Sequence, residues 1–276
     1  MKTVPFYLAL VVCILYSCKK SNSGNSTPQP AYYLSSAVAL SPQYRIVDSF
    51  YYDTLHRIDT ISQSIYDSGS TSFNSWYIQF VYQGTSAWPS WYYSFDPQLG
   101  AYGDYHLLSY DPDNRITKDT SLSGSGYVAW FSYPDGNIIT AIYPEGTPLN
   151  NSIDTLYLSN GNVTRQADYL AEIPGQPDAL LGAAGYTTAS AANPAYHDSI
   201  SGSIGPLLFA FTLQSNSAFL DFTSKNARQQ INTSDPLLPY DVRTLDYTLT
   251  TDNKGRLAKM TSGAGSTGST IIFSYY

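Results

Sequence analysis

Cysteine, glutamate, histidine and charge are all scarce in this 276-residue chain. The two cysteines, Cys13 and Cys18, are too few for a disulfide framework. Stability must come from a buried core, for which the length is ample. Glu145 and Glu172 are the only glutamates, so a two-carboxylate hydrolase would have to be built mostly from aspartate. Histidine is limited to His56, His106 and His197. No HExxH, no Gly-x-Ser-x-Gly and no phosphate-cradling glycine loop is present. Charged residues make up 13%, with a net charge of −7 and no basic block. That balance argues against nucleic acid and against direct attraction to anionic lipid. The apolar run Val4 to Tyr16 spans 13 residues (16 − 4 + 1), short of the roughly 20 that a bilayer-spanning helix needs.

The same run, preceded by Lys2, fits the apolar region of an export signal. Its end, Leu15-Tyr16-Ser17-Cys18, resembles the bacterial lipobox, in which the cysteine is acylated and becomes the first mature residue. Cys13 would leave with the signal. Cys18, the lipidated residue, would then be the only cysteine, with no thiol free for catalysis or metal binding. Lys19 to Pro30 has no apolar residue to bury and reads as a flexible tether with a reach of about 20 Å. The expected organisation is a signal at 1–17, an acylated cysteine and tether at 18–43, and one β-rich domain at 44–276. The expected location is the outer membrane, anchored through lipid on Cys18. Lys19 and Lys20 stand where an acidic surface-export signal would be, so the periplasmic face and the cell surface both stay open.

Aromatics are abundant, at 15% with 26 tyrosines. They flank a recurring turn: Tyr51 to Thr60, Ser109 to Asp119, Ser132 to Ala141, Tyr157 to Gln166 and Thr251 to Met260. Each has an Asp/Asn/Gly turn followed by Arg or Asn and then an aliphatic or β-branched residue. Such turns tolerate positive φ and join hairpin strands. Arg115, Asn137 and Asn162 recur at spacings of 22 and 25 residues (137 − 115 and 162 − 137), about two strands and two turns. Strands are expected at Trp76 to Tyr82, Tyr127 to Tyr133 and Thr270 to Tyr276. Straight alternation puts Ile116 and Lys118 on one face, and likewise Leu257, Lys259 and Thr261. Residues 170–240 break the rhythm with six prolines, from Pro174 to Pro239. They read as an irregular insert with short helices around Asp178 to Ala183 and strands around Leu207 to Leu213 and Phe219 to Phe222. The fold expected is all-β: an extended, open antiparallel sheet of successive hairpins, with the insert packed on one face.

These turns resemble the tyrosine-aspartate (YD) repeats of Rhs-type proteins. Together with the lipobox, Asn193-Pro194-Ala195-Tyr196, Ser224-Lys225-Asn226 and Asp252 to Leu257, the chain is similar to a domain family of unknown function in lipid-anchored proteins of the Bacteroidota. The resemblance implies an open antiparallel sheet outside the cytoplasm and brings no catalytic residues.

Among chemical candidates, His197, Asp198 and Ser199 are triad residue types, but neighbours on a strand point apart. Asp111-Pro112-Asp113-Asn114 starts like a calcium loop, yet Arg115 stands in place of an oxygen donor and no distal Glu follows. Turn chemistry explains these aspartates more simply. Asp-Thr/Ser-aliphatic triplets, as at Asp53-Thr54-Leu55 and Asp154-Thr155-Leu156, match an O-glycosylation acceptor pattern. The segment Trp88-Pro89-Ser90-Trp91-Tyr92-Tyr93 offers Trp88, Trp91, Tyr92 and Tyr93 as a ring platform for sugars, against a role in the core. The expected function is a non-enzymatic binding or scaffold module for a polysaccharide or an envelope protein, with no cofactor, no metal and no nucleic acid. The alternative is a glycan hydrolase using Asp carboxylates.

Overall fold

The computed structural model describes residues 33–67, 73–95, 103–122, 127–144, 151–171, 178–195, 205, 207, 224, 226–235, 238–263 and 268–276. The strands are β1 (Leu34–Leu40), β2 (Tyr44–Tyr52), β3 (Ile58–Asp67), β4 (Phe73–Tyr82), β5 (Pro89–Phe95) and β6 (Asp104–Tyr110). They continue with β7 (Ile116–Ser121), β8 (Val128–Asp135), β9 (Ile138–Pro144), β10 (Asn151–Ser159) and β11 (Asn162–Ala171). The last are β12 (Ala179–Ala192), β13 (Asn226–Asp235), β14 (Leu238–Thr251), β15 (Leu257–Ser262) and β16 (Ser269–Tyr275). Each pairs antiparallel with its sequence neighbours, and β16 pairs with β1, giving a closed barrel. Closure replaces the expected open sheet, and it removes the unpaired edges that an open sheet leaves.

The repeated turn has a shared atomic design. Asp53 Oδ1 accepts the N–H groups of Leu55 and Arg57 at 2.8 and 2.9 Å, and its Oδ2 accepts Arg57 Nε at 2.6 Å. Asp111 does the same for Asp113 and Arg115, and Asp252 for Lys254 and Arg256. The fourth residue of each turn has positive φ: His56 at 60°, Asn114 at 62° and Gly255 at 75°. Asn tolerates this region and Gly has no Cβ to oppose it. Each guanidinium then lies over a tyrosine two strands further on in the wall: Arg57 over Tyr82 at 4.2 Å, Arg115 over Tyr133 and Arg256 over Tyr275, both at 4.4 Å. Those tyrosines donate their hydroxyls to the carbonyls of Ile58, Ile116 and Leu257, fixing each turn to its neighbour. Burial pushes the Asp53, Asp111 and Asp252 carboxyls up, but the N–H and guanidinium donors outweigh it and hold all of them below the ordinary range. Their contribution is therefore present above the unfolded value near 3.8 and lost as pH falls through the folded one. Asp53→Ala, Asp111→Ala or Asp252→Ala should each lower the urea midpoint at pH 7, and the triple variant should lower it by nearly the sum because the turns are distant. A triple variant as stable as the parent would refute this account of the turns.

A β-bulge follows each of these turns. Tyr51 and Tyr52 pair with Thr60 and Ile58, so Asp59 is extra. Thr117 and Ala258 are extra in the same way, as is Thr164 after the β10–β11 turn. Each bulge shifts the side-chain phase by one. Ile116 is therefore inward with Asp119 and Ser121, while Lys118 points outward. Leu257 is inward with Met260 and Ser262, not with Lys259 and Thr261. Bulges sharpen the local twist and bend the strands, which is what closure of a many-stranded wall requires.

Three boundaries differ from the sequence reading. The folded part starts with Leu34 rather than residue 44, because β1 lies within the stretch expected as tether. The region around Asp178 to Ala183 leads into strand β12, not helix, and most of the described residues of 170–240 form the long pair β12–β13. Leu207, expected in a strand, has helical backbone; residues 208–213 and 219–222 lie outside the described residues. Leu207 and Ala195 nonetheless join the main buried cluster. The two elements singled out in the sequence meet there: Asn193 Nδ2 donates to the Ser224 carbonyl at 2.7 Å, and Ser224 Oγ accepts Val163 N–H at 2.9 Å. Asn162 and Asn226 exchange two further hydrogen bonds, so these residues clamp the end of β12 and the start of β13 to the β10–β11 turn.

Antiparallel succession puts the Asp–Arg turns, the start of β1 and the end of β16 at one end of the barrel. Inward positions in that half are apolar and packed. Phe50, Phe80, Ile78 and Ile116 are buried in one cluster with Phe131 and Phe273. Toward the other end the inward face becomes polar, with Asp48, His106, Asp154 and Asp168.

Candidate functional site

Strict alternation along β4, β5 and β6 sends one set of rings outward. Tyr77 lies opposite Phe95, Tyr93 opposite Tyr105, and Trp91 opposite Leu107. The rings form a continuous ladder. Centroids are 5.5 Å apart for Tyr77–Phe95, 5.9 Å for Tyr77–Tyr93, 4.8 Å for Tyr93–Tyr105 and 5.8 Å for Trp91–Tyr105. A Cβ on Gly103 would collide with the Ser94 carbonyl and the Tyr93 ring, so the absence of a side chain there lets the Tyr93 ring pack against the Gly103 backbone. Burial first, then the adjacent Tyr93 phenol and its hydrogen bond, pushes the Tyr77 hydroxyl above its ordinary range. Tyr105 and Leu107 remain about half exposed. The outward neighbours Gln79, Val81 and Thr120 carry no charge.

The residues proposed from sequence as a platform are divided by this geometry. Trp91 and Tyr93 belong to the outward ladder. Tyr92 points inward and is wholly buried. Trp88 sits in the β4–β5 turn, donating its N–H to Ser86 Oγ at 3.2 Å. Tyr77, Phe95 and Tyr105 were not picked out, because their membership depends on cross-strand register rather than on proximity in sequence. Cys18, His197, Asp198 and Ser199 lie outside the described residues.

The inward polar side chains form two groups. Fully buried Asp119 accepts the Tyr92 hydroxyl at 2.7 Å and faces His106 Nδ1 at 2.8 Å. His106 Nε2 lies 3.2 Å from Asp104 Oδ2, and Asp104 Oδ1 accepts Ser121 Oγ–H at 2.9 Å. Tyr92 also stacks on the imidazole at 4.4 Å. This chain ties β5, β6 and β7 together beneath the ladder. In the second group, Asp154 and Asp168 are direct cross-strand partners. Burial, then the Asp168 charge and a hydrogen bond between the two, pushes the Asp154 carboxyl up to about 7. Gln166 Nε2 donates to Asp168 and its Oε1 accepts the Tyr186 hydroxyl. Carboxyls that hydrogen-bond to each other are closer than the roughly 5 Å or more that glycosidase pairs keep.

Other sequence candidates have local explanations. His56 occupies the positive-φ position of its turn and stacks on Tyr33 at 4.9 Å. Both oxygens of Asp111 are engaged by backbone N–H groups and by Arg115, as turn chemistry predicts. Thr54 is exposed in its turn, whereas Thr155 is buried.

No protein-family model and no curated protein matches the sequence. Among solved structures, a porin-like protein from Bacteroides uniformis is similar at 14% identity and a TM-score of 0.55, covering 88% of this chain and 98% of that one. A porin-like protein from Bacteroides vulgatus aligns at 12% identity with a TM-score of 0.39, over 89% and 99%. The first likeness supports a closed β-barrel as the fold of this chain.

Proposed function

We propose that this chain is a lipid-anchored barrel of the outer membrane that binds a partner and neither conducts nor catalyses. The carrying observation is the packed inward face: Phe50, Phe80, Tyr92, Ile46, Ile78 and Ile116 are essentially inaccessible to water. A porin lumen is polar and wet, and its outward face carries an apolar band about 25 Å tall. Here the inward half of that pattern is reversed near the Asp–Arg turns, and the outward face is mixed, with apolar pairs such as Val38–Val47 and Trp130–Ile142 standing among polar ones. Outward pairs include Ser49–Ser62, Thr60–Gln79, Asn232–Thr244 and Gln230–Asp246. The last of these is hydrogen-bonded at 2.7 Å in an exposed position. Such a surface favours a barrel held beside the bilayer rather than within it. The porin-like fold of the Bacteroides uniformis protein supports an outer-membrane setting, and Cys18 supplies the anchor in this reading. The likeness to YD repeats belongs to the same reading: the repeats are here a structural device, the Asp–Arg turn.

Two measurements test it. In the native host, Cys18→Ser should abolish labelling by a palmitate analogue and move the protein from the membrane to the soluble fraction. Purified wild-type protein added to planar bilayers should give no stepwise conductance. Discrete channel events, or a Cys18→Ser protein that still needs detergent, would favour a membrane-spanning porin instead.

A further inference from the structure

Resting on the reading of the barrel as a binding module, we propose that the outward ladder of Tyr77, Phe95, Tyr93, Tyr105 and Trp91 binds a neutral, extended polysaccharide by stacking sugar rings on its aromatic faces. Three observations narrow the ligand. The first is spacing. Successive centroids are 4.8 to 5.9 Å apart, so the rings form one continuous strip across three strands, which suits a polymer better than a single sugar. The second is tilt. Tyr93–Tyr105, Trp91–Tyr105 and Tyr77–Tyr93 are tilted by 47°, 50° and 52°, and Tyr77–Phe95 by 27°. The faces are not coplanar, which suits separate sugar rings better than one flat aromatic ligand. The third is charge. The outward neighbours Gln79, Val81, Leu107 and Thr120 carry none, and the chain's net charge of −7 repels polyanions. An uncharged ligand complements this strip, whose phenols and the Gln79 amide are placed to meet hydroxyls at its margins.

The strip is also pre-formed. Tyr93 rests on the space that Gly103 leaves and hydrogen-bonds with Tyr77, so little rotamer freedom remains to be lost on binding. A protein partner would bury about 800 Å² on this side; the strip's neighbours are mixed, Val81 and Leu107 apolar and Gln79 and Thr120 polar, so a protein partner is the competing outcome of the test below. Lipid would need an unbroken apolar surround, and Ser62 and Gln79 interrupt it.

Affinity electrophoresis tests the proposal with soluble neutral polymers (a β-1,4-glucan derivative, a xylan, a mannan) and an acidic polygalacturonate. At least one neutral polymer should retard the wild type and polygalacturonate should not. Trp91→Ala should weaken the retardation about tenfold and Tyr93→Ala/Tyr105→Ala more than that. Ile272→Ala, at an outward position on β16, should leave it unchanged. Far-ultraviolet circular dichroism checks that each variant is folded, and Tyr105→Phe, which keeps the ring, should bind within about twofold of wild type. Retardation by no neutral polymer, by polygalacturonate alone, or undiminished in folded ladder variants would overturn the inference. If no glycan binds but envelope extracts yield a defined protein partner, the inference fails and the binding-module reading stands. Release of reducing ends from a bound polymer would sink the non-catalytic reading and leave the platform intact.

Discussion

Asp119→Ala is expected to lower the unfolding free energy by about 3 to 5 kcal/mol, a large share of what a single domain has. Asp119 is completely buried on β7, and both its oxygens are engaged. The Tyr92 hydroxyl donates to Oδ2, and His106 Nδ1 lies 2.8 Å from Oδ1, donating in the tautomer that carries Nδ1–H. Truncation removes one acceptor and two hydrogen bonds at once. It leaves two donors in surroundings made largely by Phe80, Leu108 and Ala129. Losing an acceptor in such a place costs more than the hydrogen bond contributed, because the donors cannot return to water. Tyr92→Phe alone should cost less, about 1 to 3 kcal/mol, since it keeps the ring stack on His106. The double variant Asp119→Ala/Tyr92→Phe should cost less than the sum, because one stranded donor has gone. Urea unfolding gives all three values. A loss under 1 kcal/mol for Asp119→Ala, or strict additivity in the cycle, would mean that the network does not hold β5, β6 and β7 together.

The sequence carried the local half of this architecture and left the global half unread. Pro112-Asp113-Asn114 and Ser159-Asn160-Gly161 do lie between paired strands, and Asn114 and Asn160 do take positive φ. Turn chemistry is decided within five residues, so it is legible. The division of β4 into Tyr77, Gln79 and Val81 against Trp76, Ile78, Phe80 and Tyr82 is also as expected, since the register shift beside Val81 leaves the extra residue, Ser90, on β5 and not on β4. Closure was not legible. It depends on β1 meeting β16, 230 residues apart from Leu40 to Thr270, and on bulges at Asp59, Thr117 and Ala258. Nothing in the residues Asp, Thr and Ala marks them as extra, and Thr164 is extra after a turn that has no Asp–Arg pair. The candidate site was half legible for the same reason. Trp91 and Tyr93 stand in one segment, but their partners Tyr77 and Tyr105 arrive only through register. Tyr92 was grouped with its outward neighbours although strand alternation alone sends it to the other face.

Asp48→Asn should change the shape of the stability-versus-pH curve between pH 4 and pH 8. Asp48 is 2% exposed, facing inward between Ala37 and Gln63. Gln63 Nε2 donates to its Oδ1 at 2.8 Å, and Gln63 is itself held by Trp76 Nε1. Asp48 Oδ2 has no hydrogen-bond partner among the described residues. Burial pushes the carboxyl up to about 7, against the opposing pull of Gln63. In the unfolded chain it titrates near 3.8. The folded state thus holds the proton more tightly. Its stabilising effect is complete below the unfolded value, falls as pH rises toward 7 and is gone above it, a change of about 4 kcal/mol. The turn aspartates act in the opposite sense, losing stability as pH falls, so the wild type is squeezed from both sides. Asparagine keeps an acceptor for Gln63 and has no proton to lose. The variant should match or fall below wild type near pH 4 and exceed it by a few kcal/mol at pH 8. Asp154 titrates in the same window and is present in both proteins, so the difference between the two curves isolates Asp48. Parallel curves from pH 4 to pH 8 would show that Asp48 Oδ2 finds a donor in solution and that its carboxyl ionises as an ordinary one does.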